Sequence, residues 1–539
     1  MKKYPCPCCG RYTLEEEPPG TFEICPDCGW EDDRVQFRDP DYEEAANTLS
    51  LHQAREQYRD THGCIFYHGT ILTMEKKLLA EAVLVRDGII KKVGTLVEAQ
   101  KAAPRAALAD LHGKTMLPAF MDAHGHFSSY ANAQLQVPLE NAASFAEIAE
   151  AITAFISENS LSDGEWIVAK GYDHNTLLEK SHPTVEFLDE TAPRNPLVLQ
   201  HQSGHCGVLN SMALNKLKLS PKTPNPPGGV IGKAKGKLTG YLEEDAYISC
   251  IKQVPMAPLS AMLGAYRKAQ GKYLSQGITT VQEGMMVAQM LPLYQALLES
   301  GLLVVDVVGY CEPASMAALK KALPASQQKY DRHFKIGGYK IFLDGSPQVR
   351  TAWMKTPYQN SESCGYGTME SAAVLAAVEQ AAAEKTQILA HCNGDAAAQQ
   401  YLDAIAEVEK RNKNLKNLKP VMIHAQLLDR EQLPQVAALG VIPSFFVAHI
   451  LHWGDIHINN FGFDRAQWIS PAHSAQKLGI PFTFHQDTPV IEPNMLETLE
   501  CSVLRKTKSQ AILGESERLT VLDAIKAVTI HTAFQYSEE

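Results

Sequence analysis

Between residues 278 and 484 the chain repeats one unit: a short apolar run followed by a helical, often alanine-rich stretch. The runs are Ile278–Val281, Val304–Gly309, Gly338–Leu343, Gln387–Ala390, Val421–Ile423, Val441–Phe445 and Pro481–Phe484, with helices expected over residues such as Ser371–Lys385 and Asp395–Lys410. Alternation of this kind demands a parallel sheet covered by helices. With the apolar run Met116–Met121, the count of strands is about eight, the number that closes a (β/α)8 TIM-like barrel. The fold class expected is therefore α/β. In such a barrel the working residues sit just past the C-terminal ends of the strands.

Polar residues stand at those places. Asp122-Ala-His124-Gly-His126 follows the first run. Side chains alternate along a strand, so His124 and His126 point to one side. Two neutral imidazoles there suit a transition metal such as zinc. His391, His424 and Asp487 follow later runs, and Lys340 lies inside one. A lone histidine after a strand is more often a packed, hydrogen-bonded residue, so the argument rests on the set. A buried, unpaired ammonium is costly. Two resolutions are open for Lys340: a lowered pKa with conversion to a carbamate that bridges two cations, or an ion pair with Asp344 or another carboxylate.

Three further regions flank or interrupt the repeat. Residues 63–117 read as a small β domain of short strands, with Asp87-Gly88 as a hairpin turn. Residues of about 130–265 do not alternate cleanly and carry the loop-forming run Pro221–Gly229, so they read as an insertion over the barrel mouth. Within it His205 reads more as a structural histidine than as a ligand. The barrel with its insertion is expected over 118–539.

Residues 1–62 form a separate unit by composition. Cys6-x2-Cys9 and Cys25-x2-Cys28 are separated by fifteen residues, a zinc-ribbon spacing that aims four thiolates at one structural ion. Cys8 could stand in for Cys6 or Cys9 on spacing alone. So small a segment would draw folding energy from its metal. Residues 1–60 hold seven Lys or Arg against fourteen Asp or Glu, a net of −7. A phosphate-binding face needs the opposite sign, and the whole chain is also acidic at −11. Nucleic acid is excluded as the expected partner. Protein contact through this unit, or self-association, is the expectation instead. No apolar run in the 539 residues is long enough to span a bilayer, and no signal peptide opens the chain. A cytoplasmic location with reduced cysteines is expected.

Two resemblances sharpen these readings. Tyr4-Pro-Cys-Pro-Cys-Cys-Gly10, Glu15–Gly20, Phe22–Cys28, Trp30–Asp33 and Asn47–Arg55 resemble the cysteine-rich CPCC domain family. The pattern over residues 64–536 resembles the metal-dependent amidohydrolase superfamily, nearest the group that includes N-substituted formamide deformylases. It matches His124 and His126, Lys340 in Tyr339–Ser346, His391 in Ala390–Ala396, His424 in Ile423–Gln426 and Asp487 in His485–Val490. It also matches Ser203-Gly-His205 and Gly228–Ile231.

The resemblance implies a hydrolase of carbon–nitrogen bonds other than peptide bonds, acting on a small-molecule amide through one or two divalent ions, with zinc expected. His124, His126 and Asp487 would hold one ion. His391 and His424 would hold the second, with carboxylated Lys340 between, or Glu283 in its place. Asp487 would be the catalytic proton carrier; His205, Asp344 and Arg350 are the substrate-binding candidates. Relatives carry further strands after the last helix, so the resemblance also implies a C-terminally truncated small β domain with an exposed edge. A catalytically impaired homologue and a zinc-ribbon interaction protein are the alternative readings.

Overall fold

The alternating runs form one parallel sheet in the computed structural model, which describes residues 3–255, 257–412 and 414–539. Its strands are β1 (Phe120–Met121), β2 (Ile278–Met286), β3 (Asp306–Cys311), β4 (Phe334–Phe342), β5 (Gln387–Cys392), β6 (Val421–His424), β7 (Ile442–Phe445) and β8 (Thr483–Phe484). They lie side by side in chain order, every neighbour parallel. The two ends of the sheet meet just past β1 and β8. There the Asp487 N–H donates to the His124 carbonyl at 3.0 Å, and the His126 N–H to the Thr488 carbonyl at 2.7 Å. The TIM-like barrel is thus closed at the end that carries the histidines.

Alternation sorts the strand side chains. Val308 and Tyr310 of β3, Leu389 of β5, Val421 and Ile423 of β6 and Ile442 of β7 cluster together. Val307, Ile388, Ala390 and Met422 instead join the larger core packed with the helices. Each such buried aliphatic chain contributes roughly 1.5–3 kcal/mol.

Tyr536 belongs to the inner cluster, although it lies at the far end of the chain. Its hydroxyl donates to the Asp122 carbonyl at 2.7 Å, and Gln535 Nε2 donates to the Ala123 carbonyl at 2.9 Å. The sequence suggests one helix over 521–533. The structure has two, Val521–Ala527 and Ile530–Tyr536, broken at Thr529 where ψ is −99°. That break turns Gln535 and Tyr536 toward the backbone that presents His124.

The connection from β1 to β2 holds the insertion. It leaves through helix Phe127–Ala133 and returns through helix Leu259–Ser275, and Phe127 meets Tyr266 with ring centroids 5.1 Å apart. Between them stands a six-stranded sheet. Val137–Pro138, Ile167–Tyr172 and Leu197–His201 run parallel; Cys206–Leu209, Lys237–Glu244 and Gly229–Ala234 run antiparallel. Ile148, Ile152, Ile167, Leu188 and Leu199 form part of its core. The proline- and glycine-rich run leads into the hairpin Gly229–Ala234/Lys237–Glu244, as its composition requires.

The chain divides into two compact units, Met1–Ala119 and Phe120–Glu539. The first contains both the cysteine-rich segment and the small β domain. Strand Cys64–Leu72 pairs antiparallel with Leu79–Arg86 and parallel with Ala107–Asp110; Leu79–Arg86 pairs with Ile89–Gly94. Asp87 and Gly88 take φ of 54° and 68°, the left-handed pair that a two-residue hairpin needs. Residues 109–115 read in the sequence as one short strand, but a turn at His112-Gly113 interrupts them, leaving Ala107–Asp110 and Thr115–Met116 as separate strands. The Leu108 N–H donates to the Cys9 carbonyl at 2.9 Å. Cys6, Cys9, Trp30, Leu51 and Tyr58 share one apolar cluster with Cys64 and Ala107. The cysteine-rich segment and the sheet therefore bury side chains against each other.

Candidate metal centre

His124 and His126 stand just past β1, where the backbone is tied to the segment after β8. Their Nε2 atoms lie 3.4 and 3.3 Å from Asp487 Oδ1. Asp487 has φ of 54°, a left-handed conformation unusual for a residue with a side chain. Asp487 Oδ1 is buried and makes no hydrogen bond among the described residues. Oδ2 of the same carboxylate lies 3.9 Å from His424 Nε2. Donors bound at 2.0–2.1 Å to a tetrahedral ion would be about 3.3 Å apart. The separations here fit that value, and an orphaned carboxylate oxygen facing two imidazole nitrogens is the donor set a divalent cation completes.

The remaining expected residues lie around this triad. Lys340 of β4 is fully buried, and its Nζ is 3.2 Å from His124 Nε2. It forms no ion pair among the described residues, and Asp344 is engaged elsewhere. Burial lowers its pKa to about 7, against the pull of Asp487. His424 ends β6 with φ of 70°. Its ring centroid is 5.7 Å from that of His124 and 4.6 Å from that of His391. Burial pushes the pKa of both His124 and His424 well below the ordinary imidazole value. A shift in that direction favours the neutral imidazole, the form that ligates a cation. Burial pushes the Asp487 carboxyl up, but His126, His485 and Lys340 outweigh it and hold it below its usual range.

A second layer fixes the rings. His124 Nδ1 is bonded to Gln282 Oε1. Asp344, expected at the substrate, is buried, and its carboxylate lies beneath His391. It meets His391 Nδ1 at 3.1 Å and accepts from the N–H groups of Asn393 and Gly394 at 2.9 and 2.7 Å. Those bonds tie its carboxylate to the His391 ring and to the backbone of Asn393 and Gly394. His485 Nε2 is 3.1 Å from His424 Nδ1, and its Nδ1 is 2.9 Å from Ser444 Oγ. Gly284 of β2 has no room for a side chain: a Cβ would come within 2.7 Å of His124 Cε1.

Glu283 is buried beside this layer. Its Oε2 accepts from Ser128 N and Tyr294 Oη at 2.8 and 2.7 Å, and burial raises its pKa. Gln282 and His485 were missed by sequence reasoning. A signal for His485 existed, since it stands two residues before Asp487 in the same motif. Arg350 donates through Nε to Asn460 Oδ1 at 2.8 Å. His205 is exposed in the insertion and pairs with Glu244 at 3.0 Å.

In the first unit Cys6 Sγ lies 3.6 Å from Cys28 Sγ, and Cys9 Sγ 3.7 Å from Cys25 Sγ. A tetrahedral zinc with 2.3 Å bonds would set sulfurs about 3.8 Å apart. Cys8 stays outside the set that the spacing left open. Hydrogen bonds from the other three thiols hold Cys25 toward the thiolate, and donating those bonds to Cys25 pushes Cys6, Cys9 and Cys28 up. A cation at the centre reverses that crowding by favouring every thiolate.

A closed α/β barrel whose strand ends gather histidines, an aspartate and a buried lysine defines a metal-dependent hydrolase. The comparisons with known proteins give the particular family. The pattern of the Amidohydrolase family matches residues 107–539, and the chain belongs to that family, with a Cysteine-rich CPCC domain at residues 4–70. It is an enzyme of the kind that cleaves carbon–nitrogen bonds. YtcJ of Bacillus subtilis (strain 168) is 29% identical over 488 residues, covering 86% of this chain and 88% of that protein. N-substituted formamide deformylase of Arthrobacter pascens is 26% identical over 476 residues, covering 84% and 85%. An uncharacterized metal-dependent hydrolase from Pyrococcus furiosus shares the fold, with a TM-score of 0.72 at 23% identity over 88% of this chain and 95% of that one. No helix among the described residues is long and apolar enough to cross a membrane.

Proposed function

We propose that this enzyme hydrolyses small N-acyl substrates, formamides, acyclic amides or cyclic amides, at the barrel mouth. The observation that carries the proposal is the unpartnered Oδ1 of Asp487 facing His124 Nε2 and His126 Nε2. The likeness to an N-substituted formamide deformylase supports the substrate class.

His124, His126 and Asp487 Oδ1 would hold one divalent ion, with zinc the best match to two imidazoles and a carboxylate. Lys340, as its carbamate, would lie between it and a second ion held by His391 and His424. A near-neutral amine supports that role, because an uncharged Nζ can add carbon dioxide and release one proton. Bound there, divalent ions polarise the scissile carbonyl and lower the pKa of a water.

The rest falls to side chains. Asp487 Oδ2, turned from the ligand side toward His424, takes the proton from the attacking water and returns it to the departing nitrogen. The Nδ1 atoms of His391 and His424 are engaged by Asp344 and His485, which would leave their Nε2 atoms for an ion, Asn393 Nδ2 lying 3.4 Å from that of His391. His126 is partly exposed and marks the solvent side of the centre.

The test is a panel of N-formyl, N-acyl and cyclic amides assayed with zinc-loaded protein. Wild type is expected to turn over at least one class, and His124→Ala/His126→Ala is expected to lose both barrel zinc and turnover. Undiminished hydrolysis by the double variant would sink the assignment.

A further inference from the structure

The insertion carries a second convergence of metal-type donors. Its strands Ile167–Tyr172 and Leu197–His201 run parallel, and after a one-residue register shift between Lys170 and Tyr172 their C-terminal ends bring Tyr172 beside His201. Three side chains meet there. His174 Nδ1 lies 3.2 Å from His201 Nε2, Asp173 Oδ1 lies 3.4 Å from His201 Nε2, and His174 Nδ1 lies 3.7 Å from Asp173 Oδ1. All three separations surround the value of about 3.3 Å set by a tetrahedral ion with 2.0–2.1 Å bonds.

Without an ion, the Ser203 N–H donates to His201 Nδ1 at 3.1 Å, so a neutral His201 carries its proton on Nε2 and can donate it to His174 Nδ1. An ion on Nε2 would shift that proton to Nδ1, where Ser203 Oγ at 2.9 Å can accept it, and would take all three donors together. The surroundings are those of a held ligand set. His201 Nδ1 is fixed by Ser203, with Oγ at 2.9 Å, and the carboxylate of Asp173 is held by the Asn175 N–H at 2.9 Å and by Gln202. The His182 ring stacks on His174 with centroids 4.1 Å apart, and its Nδ1 is bonded to the Tyr172 hydroxyl at 2.8 Å. His201 is almost wholly buried, while the His174 side chain is 30% exposed, so an ion has both an anchor and an entrance.

We propose that Asp173, His174 and His201 form a zinc site in the insertion, separate from the barrel centre and from the four cysteines. It clips the loop after one strand to the end of the next. Two imidazoles and one carboxylate leave a fourth position for water, or for His182 after a ring rotation. No hydrogen bond or ion pair links this cluster to the barrel histidines among the described residues, so it does not rest on the proposed reaction.

The experiment uses the full chain and zinc alone. Metal-stripped protein is treated with diethyl pyrocarbonate, with and without added zinc, and modification of His174 is read by peptide mass spectrometry. Zinc is expected to protect His174, and protection is expected to persist in His124→Ala/His126→Ala, where the barrel ligands are gone. His174→Ala/His201→Ala is expected to bind one zinc equivalent fewer than wild type by elemental analysis. Equal modification of His174 with and without zinc overturns the site. That measurement needs no variant, so a misfolded substitution cannot protect the proposal. Protection lost in the barrel variant would also overturn it as an independent site.

Discussion

The cysteine cluster of the first unit and the histidine–aspartate centre of the barrel both gather donors at ion-ready distances, yet they are built in opposite ways. The four cysteines come from two knuckles within 23 residues, Cys6 to Cys28. Their local core is a thin layer around Leu14, Trp30, Leu51 and Tyr58. The barrel donors are drawn from His124 to Asp487, and a core running through all eight strands holds them. A knuckle needs its ion to offset the crowding of four thiols. A barrel mouth is set by packing and by a second layer of hydrogen bonds, and its geometry precedes the ion.

Three measurements can break or sharpen this contrast. The largest effect is expected for Cys25→Ser/Cys28→Ser. Removing two of four thiolates should abolish metal binding in the cysteine cluster. By hydrogen exchange, amide protection should collapse over residues 4–62 while β3–β7 stay protected. Unchanged protection over 4–62 would show that packing against Cys64 and Ala107 holds that unit without metal.

A medium effect is expected for Asp344→Asn, which keeps the shape beneath His391 but weakens its anchor. Removing such an outer partner typically costs about 10–100-fold in metal affinity or activity. Turnover should fall in that range with little change in thermal midpoint. A wild-type rate would mean that Asp344 does not position His391.

The smallest effect concerns acid. In the metal-stripped protein His124, His424, His449, His457 and His485 all have lowered pKa values, chiefly through burial, with His457 at about 4 and His485 at about 3. Unfolded histidine titrates near pH 6.5, so below that the unfolded chain takes up protons that the folded one refuses. Stability therefore falls as pH drops from 7 to 5. His182 and His531 are lowered as well; Asp122, raised to about 8, Glu283 and Asp395, also raised, act in the other direction, but they are three groups against seven. The thermal midpoint of the second unit should decline by several degrees across that window by calorimetry. A flat profile would mean that the buried rings open to water easily, and that the centre is less preorganised than its core implies.

How much of this was readable follows from the distance over which each feature is encoded. Knuckle spacing is local, so the cysteine set could be named with only the place of Cys8 left open. Short apolar runs with helices between them give a barrel, and the polar residues His124, His126, His391, His424 and Asp487, which follow some of those runs, could be named as candidates for the centre. Residues acting through distant contacts were not readable in that way. Gln282 beneath His124, the Asp344 carboxylate beneath His391 and the helix placing Tyr536 inside the ring are set by neighbours up to 414 residues away. The Asp173–His174–His201 cluster was invisible for the same reason, because only the parallel pairing of two strands brings residues 173 and 201 together.

The sequence by itself determined the fold class, the barrel's strands, the identity of its polar strand ends and the cysteine spacing, because each of these is written in periodicity or in residues a few positions apart. Tertiary structure alone decided which oxygen of Asp487 is left unpartnered, that Lys340 lies against His124 and not Asp344, and that the cysteine-rich segment shares a core with the small sheet. Those outcomes depend on burial and on angles between elements far apart in the chain, where an energy of about 1–3 kcal/mol per buried polar group selects one pairing over another.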